Sequence, residues 1–346
     1  MNGETDSVAT LSRGIGHMKR LHIIGRLTLA AAAVLIALPG MADWKQAVAY
    51  YNQRQFDKAI QELKPDLDKN PDWEFGHRLV GLCYLNLKNN ALAIVELSRA
   101  VQLKSKEFVT YSGLAQAYFN SDRLDSCVQT LAQGESFAGN PEEKYTLYHL
   151  RGSAYYRLQK NDQAVSDLTE AIRIKSGEWS DFSQLGVAYY NLNRLDEAIQ
   201  ALQKALSLKP GDGVTTQMLG KSYFKSGVGA LAGKQYAQTI DLLRKAGTYS
   251  PNDGYIFYNL GEAFLFSNNY PDAEKAYNQA LGLLPRNSDV FHRLGLVYEK
   301  QKKWDLSLNA YLKAAEINSS PQLKEAIARV TEMKKQSKAP FDPPLF

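Results

Sequence analysis

The sequence predicts an all-α solenoid of about eight helical hairpins, closed by a single C-terminal helix. Three observations carry this. A small residue three positions before an aromatic recurs as Ala47/Tyr50, Gly81/Tyr84, Ala115/Tyr118, Gly152/Tyr155, Gly186/Tyr189, Gly220/Tyr223, Gly261/Phe264 and Gly295/Tyr298. A second small residue follows most of these aromatics nine positions later, at Ala59, Ala93, Cys127, Ala164, Ala198, Ala273 and Ser307, with a Leu or Tyr four further on. The usual spacing of the copies is 34 residues, and Pro71, Pro210, Pro251 and Pro285 fall at copy ends.

Each copy reads as two amphipathic helices, because its apolar positions fall three and four residues apart. Gly or Ala at the crossing lets two helix axes approach, and the aromatic fills the space beside them. Proline stops the second helix, since it lacks the N–H and its ring clashes with the preceding turn. One hairpin cannot bury its apolar face alone, so stacking must make the core.

In chain order, residues 1–17 are polar and read as a misassigned start, with Met18 the better initiator. Residues 18–42 read as a secretory signal peptide: Lys19, Arg20 and Arg26 precede an apolar run at 27–38, and Ala42 offers a cleavage point before Asp43. If retained, the same segment is a membrane anchor. The solenoid then occupies 43–319. Two spacings exceed the usual one. Ala115 to Gly152 has three extra residues around Asn140-Pro141, which read as a lengthened loop. Gly220 to Gly261 has seven extra, placed between Tyr223 and Thr239. Residues 225–233 then either lengthen both helices of that hairpin by a turn or form a looser glycine bulge. At 320–337, Ser320-Pro321 starts a helix whose stripe of Leu323, Ala326, Ile327, Val330 and Met333 suits a cap over the last hairpin. The tail 338–346 is rich in proline and reads as disordered.

After Ala42 the formal charge is about +3, because four of the excess cations and two acids lie before it. That balance is spread evenly and gives no reason to expect nucleic acid. Cys83 and Cys127 occupy helix-packing positions and read as small buried hydrophobes rather than a disulfide. The histidines at 17, 22, 77, 149 and 292 lack partners at zinc-ligand spacing, and no phosphate loop or nucleophile turn is present. Asp57, Asp196, Glu197, Asp272 and Asp305 stand where second helices begin and suit the helix dipole. The chain is therefore expected to be a non-enzyme with no cofactor and no metal.

In period and residue type these copies resemble the tetratricopeptide repeat family, here as an exported bacterial member. The resemblance implies a right-handed superhelix whose first helices line a concave side that binds extended peptides or helices of other proteins. Counted from the small residue, the fourth and fifth positions after it would face that groove. They are Phe119 and Asn120, Tyr156 and Arg157, Tyr190 and Asn191, and Phe224 and Lys225. Aromatics offer contact area, and Asn can both donate to and accept from a peptide backbone. The rings either expose themselves to the groove or pack between successive first helices. The Lys/Asn/Arg set with which some family members clamp a C-terminal carboxylate is absent. Together these features imply a periplasmic or secreted protein-interaction scaffold. A membrane-anchored assembly factor and an auxiliary subunit of a glycan-processing complex are the other readings.

Overall fold

The computed structural model describes residues 44–338. The expected start, the signal segment and residues 339–346 of the tail lie outside them. The described residues form seventeen α-helices and no strands. They pair as α1 (Trp44–Asn52) with α2 (Phe56–Lys69), α3 (Glu74–Asn86) with α4 (Asn90–Gln102), and α5 (Phe108–Asn120) with α6 (Leu124–Gly134). Then come α7 (Pro141–Arg157) with α8 (Asn161–Ile174), α9 (Trp179–Asn191) with α10 (Leu195–Leu208), and α11 (Gly213–Ala232) with α12 (Tyr236–Tyr249). The last hairpins are α13 (Gly254–Phe266) with α14 (Tyr270–Leu283) and α15 (Ser288–Lys300) with α16 (Trp304–Ile317), followed by α17 (Pro321–Lys338).

Each hairpin closes through one residue in the left-handed region: Arg54, Lys88, Asp122, Gln159, Asn193, Lys234, Asn268 and Lys302, with φ between 57 and 63°. Behind each turn the two helices meet at the small residue. A β-carbon on Gly81 would come within 2.6 Å of Leu97, and one on Gly186 within 2.6 Å of Leu202. Glycine is needed there because the neighbouring leucine already fills the space. The buried row Ala59, Leu63, Ala93, Leu97, Ala164, Leu168, Ala198 and Leu202 continues this seam. Cys83 and Cys127 are free and buried in it.

Hairpin six departs from the expected register. Gly227, not Gly220, packs on Leu243, and Thr239 lies twelve residues after Gly227 as its counterparts do elsewhere. All seven inserted residues enter the first helix: α11 has 20 residues against 13 in α9 and α13, while α12 keeps 14. Neither the shared lengthening nor the glycine bulge occurs. Seven residues are about two turns, so the inserted stretch keeps the same face inward and the ladder of backbone hydrogen bonds stays unbroken. The N-terminal half of α11 continues the register of hairpin five. Ser183 Oγ and Thr215 Oγ1 are 2.8 Å apart across a separation of 32 residues, the same separation as the His149–Asp181 pair one hairpin earlier. The C-terminal half sets the register of α12 and α13. The stack therefore steps by about 10.5 Å along the helix axis at α11.

The other long spacing also becomes helix rather than loop. A short 3-10 turn, Glu135–Phe137, leads to α7, which starts four residues earlier relative to Gly152 than α3 does relative to Gly81. Asn140 and Glu143 form a reciprocal cap at its start, with Pro141 in the first turn. These side chains satisfy backbone donors that a helix start otherwise leaves open. At the other end α17 packs on α16, with Leu323, Ala326 and Val330 buried against Tyr311 and Ala314. Ile327 is half-buried there, and Met333 is exposed.

Candidate functional site

Successive first helices touch one another, α3 with α5, α5 with α7, α7 with α9, α9 with α11 and α11 with α13. Among the described residues no two second helices make a comparable contact. A stack with one closely spaced layer and one open layer bends toward the close one, so the first helices form the concave side. The candidate groove residues lie at the C-terminal ends of α5, α7 and α9 and inside α11.

Phe119, Tyr156, Tyr190 and Phe224 are all half-buried. Each packs against a buried core cluster. The two expectations for these rings thus meet halfway. Burial pushes the Tyr156 phenol above its ordinary range, so it stays neutral and hydrogen-bonding near neutral pH. Asn120, Arg157, Asn191 and Lys225 are exposed beside them.

These polar residues alternate in what they do. The Asn120 amide donates to Asn90 Oδ1 at 3.2 Å, and Asn191 donates to Asn161 Oδ1 at 3.1 Å. Each ties a first helix to the start of the preceding hairpin's second helix. Arg157 lies over the Phe119 ring at 4.8 Å, and Lys225 lies over the Tyr190 ring at 4.9 Å. Each cation covers the aromatic of the hairpin before it, where the ring's negative face attracts it. Toward hairpin five, Lys225 therefore occupies the place that Arg157 occupies toward hairpin three. Toward α12 and α13, Phe224 and Lys225 lie upstream of the closing glycine, so the four-copy ladder does not extend past α11. There the corresponding residues are Leu231 and Ala232.

Deeper between the same helices runs a buried polar seam that the sequence reading did not single out. His149 Nδ1 lies 2.5 Å from Asp181 Oδ1, and Tyr145 donates to Asp181 Oδ2 at 3.2 Å. Ser153 donates to Gln184 at 2.8 Å. Burial first, and then Asp181, holds the Tyr145 phenol far above its usual range. The only sequence signal for these pairs is the recurrence of polar residues at first-helix positions a little over thirty residues apart. Paired internally, these groups fix one helix against the next and specify their register. Among the described residues no cluster of three or more His, Cys, Asp or Glu side chains is placed to hold a metal ion. No described helix is long and apolar enough to cross a membrane.

Models of the tetratricopeptide repeat match residues 145–177, 182–212, 214–286 and 258–322, which between them span half of the chain. Superkiller protein 3 of Schizosaccharomyces pombe is 26% identical over 121 residues, which are 35% of this chain and 8% of that protein. The chain thus spans less than a tenth of that relative's length. Among solved structures, it is similar to MamA from Desulfovibrio magneticus RS-1, 21% identical, with 58% of this chain and 99% of that one covered and a TM-score of 0.35. It is also similar to the C-terminal part of a TPR repeat-containing protein from Cytophaga hutchinsonii, 16% identical, covering 73% and 99%, with a TM-score of 0.46. With its repeated small-residue crossings, its sequential hairpins and repeat models that match half of its length, the chain belongs to the tetratricopeptide repeat family.

Proposed function

We propose that this protein is a non-enzymatic scaffold of the cell envelope that holds a segment of another protein along its concave side. Tetratricopeptide repeats support a protein-interaction role in general. The observation that carries the finer reading is the row of half-buried rings at Phe119, Tyr156 and Tyr190, each beside an exposed amide or cation on the inner layer. Rigid aromatic surface bordered by hydrogen-bonding groups is the composition that recognition surfaces favour. The envelope location rests on the basic, then apolar, then small-residue order of residues 18–42.

A photo-crosslinking amino acid placed at Asn120 or Asn191, and separately at Val95 on the outer helix α4, tests the groove. Val95 is 61% exposed, so it reports a partner on the convex side equally well. Crosslinked protein is expected from the two inner positions and not from Val95. Crosslinks from Val95 alone would move the binding surface to the convex face. N-terminal sequencing of the protein recovered from envelope material tests export: a start at Asp43 supports cleavage, and an intact 21–38 segment in membranes replaces it with the anchored reading.

A further inference from the structure

The inner layer is electrically uneven. Its four described arginines are all paired: Arg78 with Glu74, Arg151 with Asp167, Arg157 with Asp122 and Arg293 with Glu262. Helices α9, α11 and α13 contain two acidic residues, Asp181 and Glu262, and both are buried. Asp181 is taken up by His149 and Tyr145, and Glu262 by Tyr277 and Arg293. These three adjacent helices therefore offer no exposed carboxylate to the groove. Against that, α11 carries Lys221 and Lys225 one turn apart, half-buried and exposed respectively. Neither has a carboxylate partner among the described residues; Lys225 has only the Tyr190 ring. Like charges four residues apart work against a helix, and no contact among the described residues offsets the charge of Lys221.

The surroundings complete a site. Tyr190 and Asn191 flank it on α9. On α13, Tyr255 stands one repeat beyond Lys221 and is 54% exposed, and Asn259 stands one repeat beyond Lys225. Among the described first helices, only α11 carries a pair of lysines four residues apart.

The geometry points to an acidic, extended polypeptide segment as the ligand of this stretch, its carboxylates on Lys221 and Lys225. Residues four apart on a helix have their β-carbons about 5–6 Å apart. In an extended strand, alternate side chains on one face are about 6.7 Å apart. A segment with Asp or Glu at every second position thus presents its carboxylates at a spacing close to that of the two lysine β-carbons, within reach of both flexible side chains. The exposed Tyr255 ring offers apolar contact to the residues beyond. This deepens the groove reading above and rests on it. A bilayer of anionic lipid carries the same charge but is flat and does not reach an inner helix layer.

Fluorescence anisotropy of the full chain with a labelled peptide of five Glu-Ser repeats tests it, alongside a peptide of five Gln-Ser repeats, anionic vesicles, and the double substitution Lys221→Gln/Lys225→Gln. Binding of the Glu-Ser peptide is expected, weakening as ionic strength rises. The Gln-Ser peptide and the double variant should each lose at least about ten-fold in affinity, as removal of charge-assisted contacts implies. The double variant should melt close to the parent, since the repulsion it removes offsets the lost contact of Lys225 with the Tyr190 ring. No binding of the Glu-Ser peptide, or equal binding by the double variant, overturns the proposal, and so does equal affinity for the Gln-Ser peptide. Vesicle binding lost in the double variant while peptide binding is not also overturns it. Any of these with inner-face crosslinks at Asn120 and Asn191 leaves the groove reading standing; crosslinks from Val95 alone remove that reading instead.

Discussion

Gly227 lies flush against Leu243: a β-carbon on Gly227 would come within 2.8 Å of Leu243 Cδ2. That contact sets the register of the last three hairpins. Gly229, one half-turn away on the same helix, has nothing within 4 Å of where its β-carbon would sit.

Alanine at these two glycines should therefore act in opposite directions. Gly227→Ala forces a methyl into filled space and should cost about 1–3 kcal/mol. Gly229→Ala meets open space and should stabilise by about 0.5–1 kcal/mol, as loss of glycine's backbone freedom implies. Urea denaturation of the two variants checks both signs. Equal effects would mean that α11 does not close on α12 at Gly227.

The two thiols should be silent in the native protein. Burial pushes Cys83 and Cys127 each up to about 12, with Asp57 adding to the rise at Cys83 and Arg157 opposing it at Cys127. The thiolate is the reactive form, so a disulfide reagent at mildly alkaline pH should titrate neither until denaturant is added. Fast labelling of the folded chain would show that hairpins two and three open locally.

Acidification should weaken hairpin eight through His292. Burial first, and then Arg293, hold its imidazole below the ordinary value of 6.5, against an opposing pull from Asp289. The folded state thus favours the neutral ring. Its contribution to stability is present above the unfolded pKa and is lost as pH falls through the lower, folded one. His292→Gln should flatten the fall in stability between about pH 7 and 5. Thermal melts across that range, parent against variant, give the comparison; parallel curves would assign the acid sensitivity elsewhere.

Removal of residues 321–346 should fray the stack from its C-terminal end. Leu323, Ala326 and Val330 cover Tyr311 and Ala314, and solenoid stability is close to a sum of repeat and interface terms. Hydrogen exchange should speed up in α15 and α16 and stay unchanged in α3 to α6. A uniform loss across all hairpins would contradict the additive picture.

Much of the local architecture is legible in the sequence. The small residue, the aromatic and the second small residue name the crossing of each hairpin because their side-chain volumes decide how near two helices can come. The reciprocal cap at Asn140 and Glu143 was equally readable, since Asn-Pro-x-Glu is a helix-start signature. The extra residues there extend α7 at its N-terminal end, where the cap holds them, rather than a loop. Lys221 also stood in plain view, four residues before Lys225, but its lack of a partner is a property of α9 and α13 rather than of its own helix.

The sequence by itself determined the hairpins, their number along the repeat, and the small residues at which paired helices cross in most of them, because volume and periodicity are local properties of the chain. Only the tertiary structure decided which of Gly220 and Gly227 closes hairpin six. They are seven residues apart, close to two full turns, so they lie on one face of α11 and satisfy the same local pattern. The distinction exists only in the partner, for Leu243 reaches Gly227 while Gly220 faces Tyr249 and Ser250 at the end of α12. The same holds for the groove: ring type could be read from the chain, but half-burial of Tyr156 and Tyr190 is set by how closely α7, α9 and α11 approach, a distance that no single helix encodes.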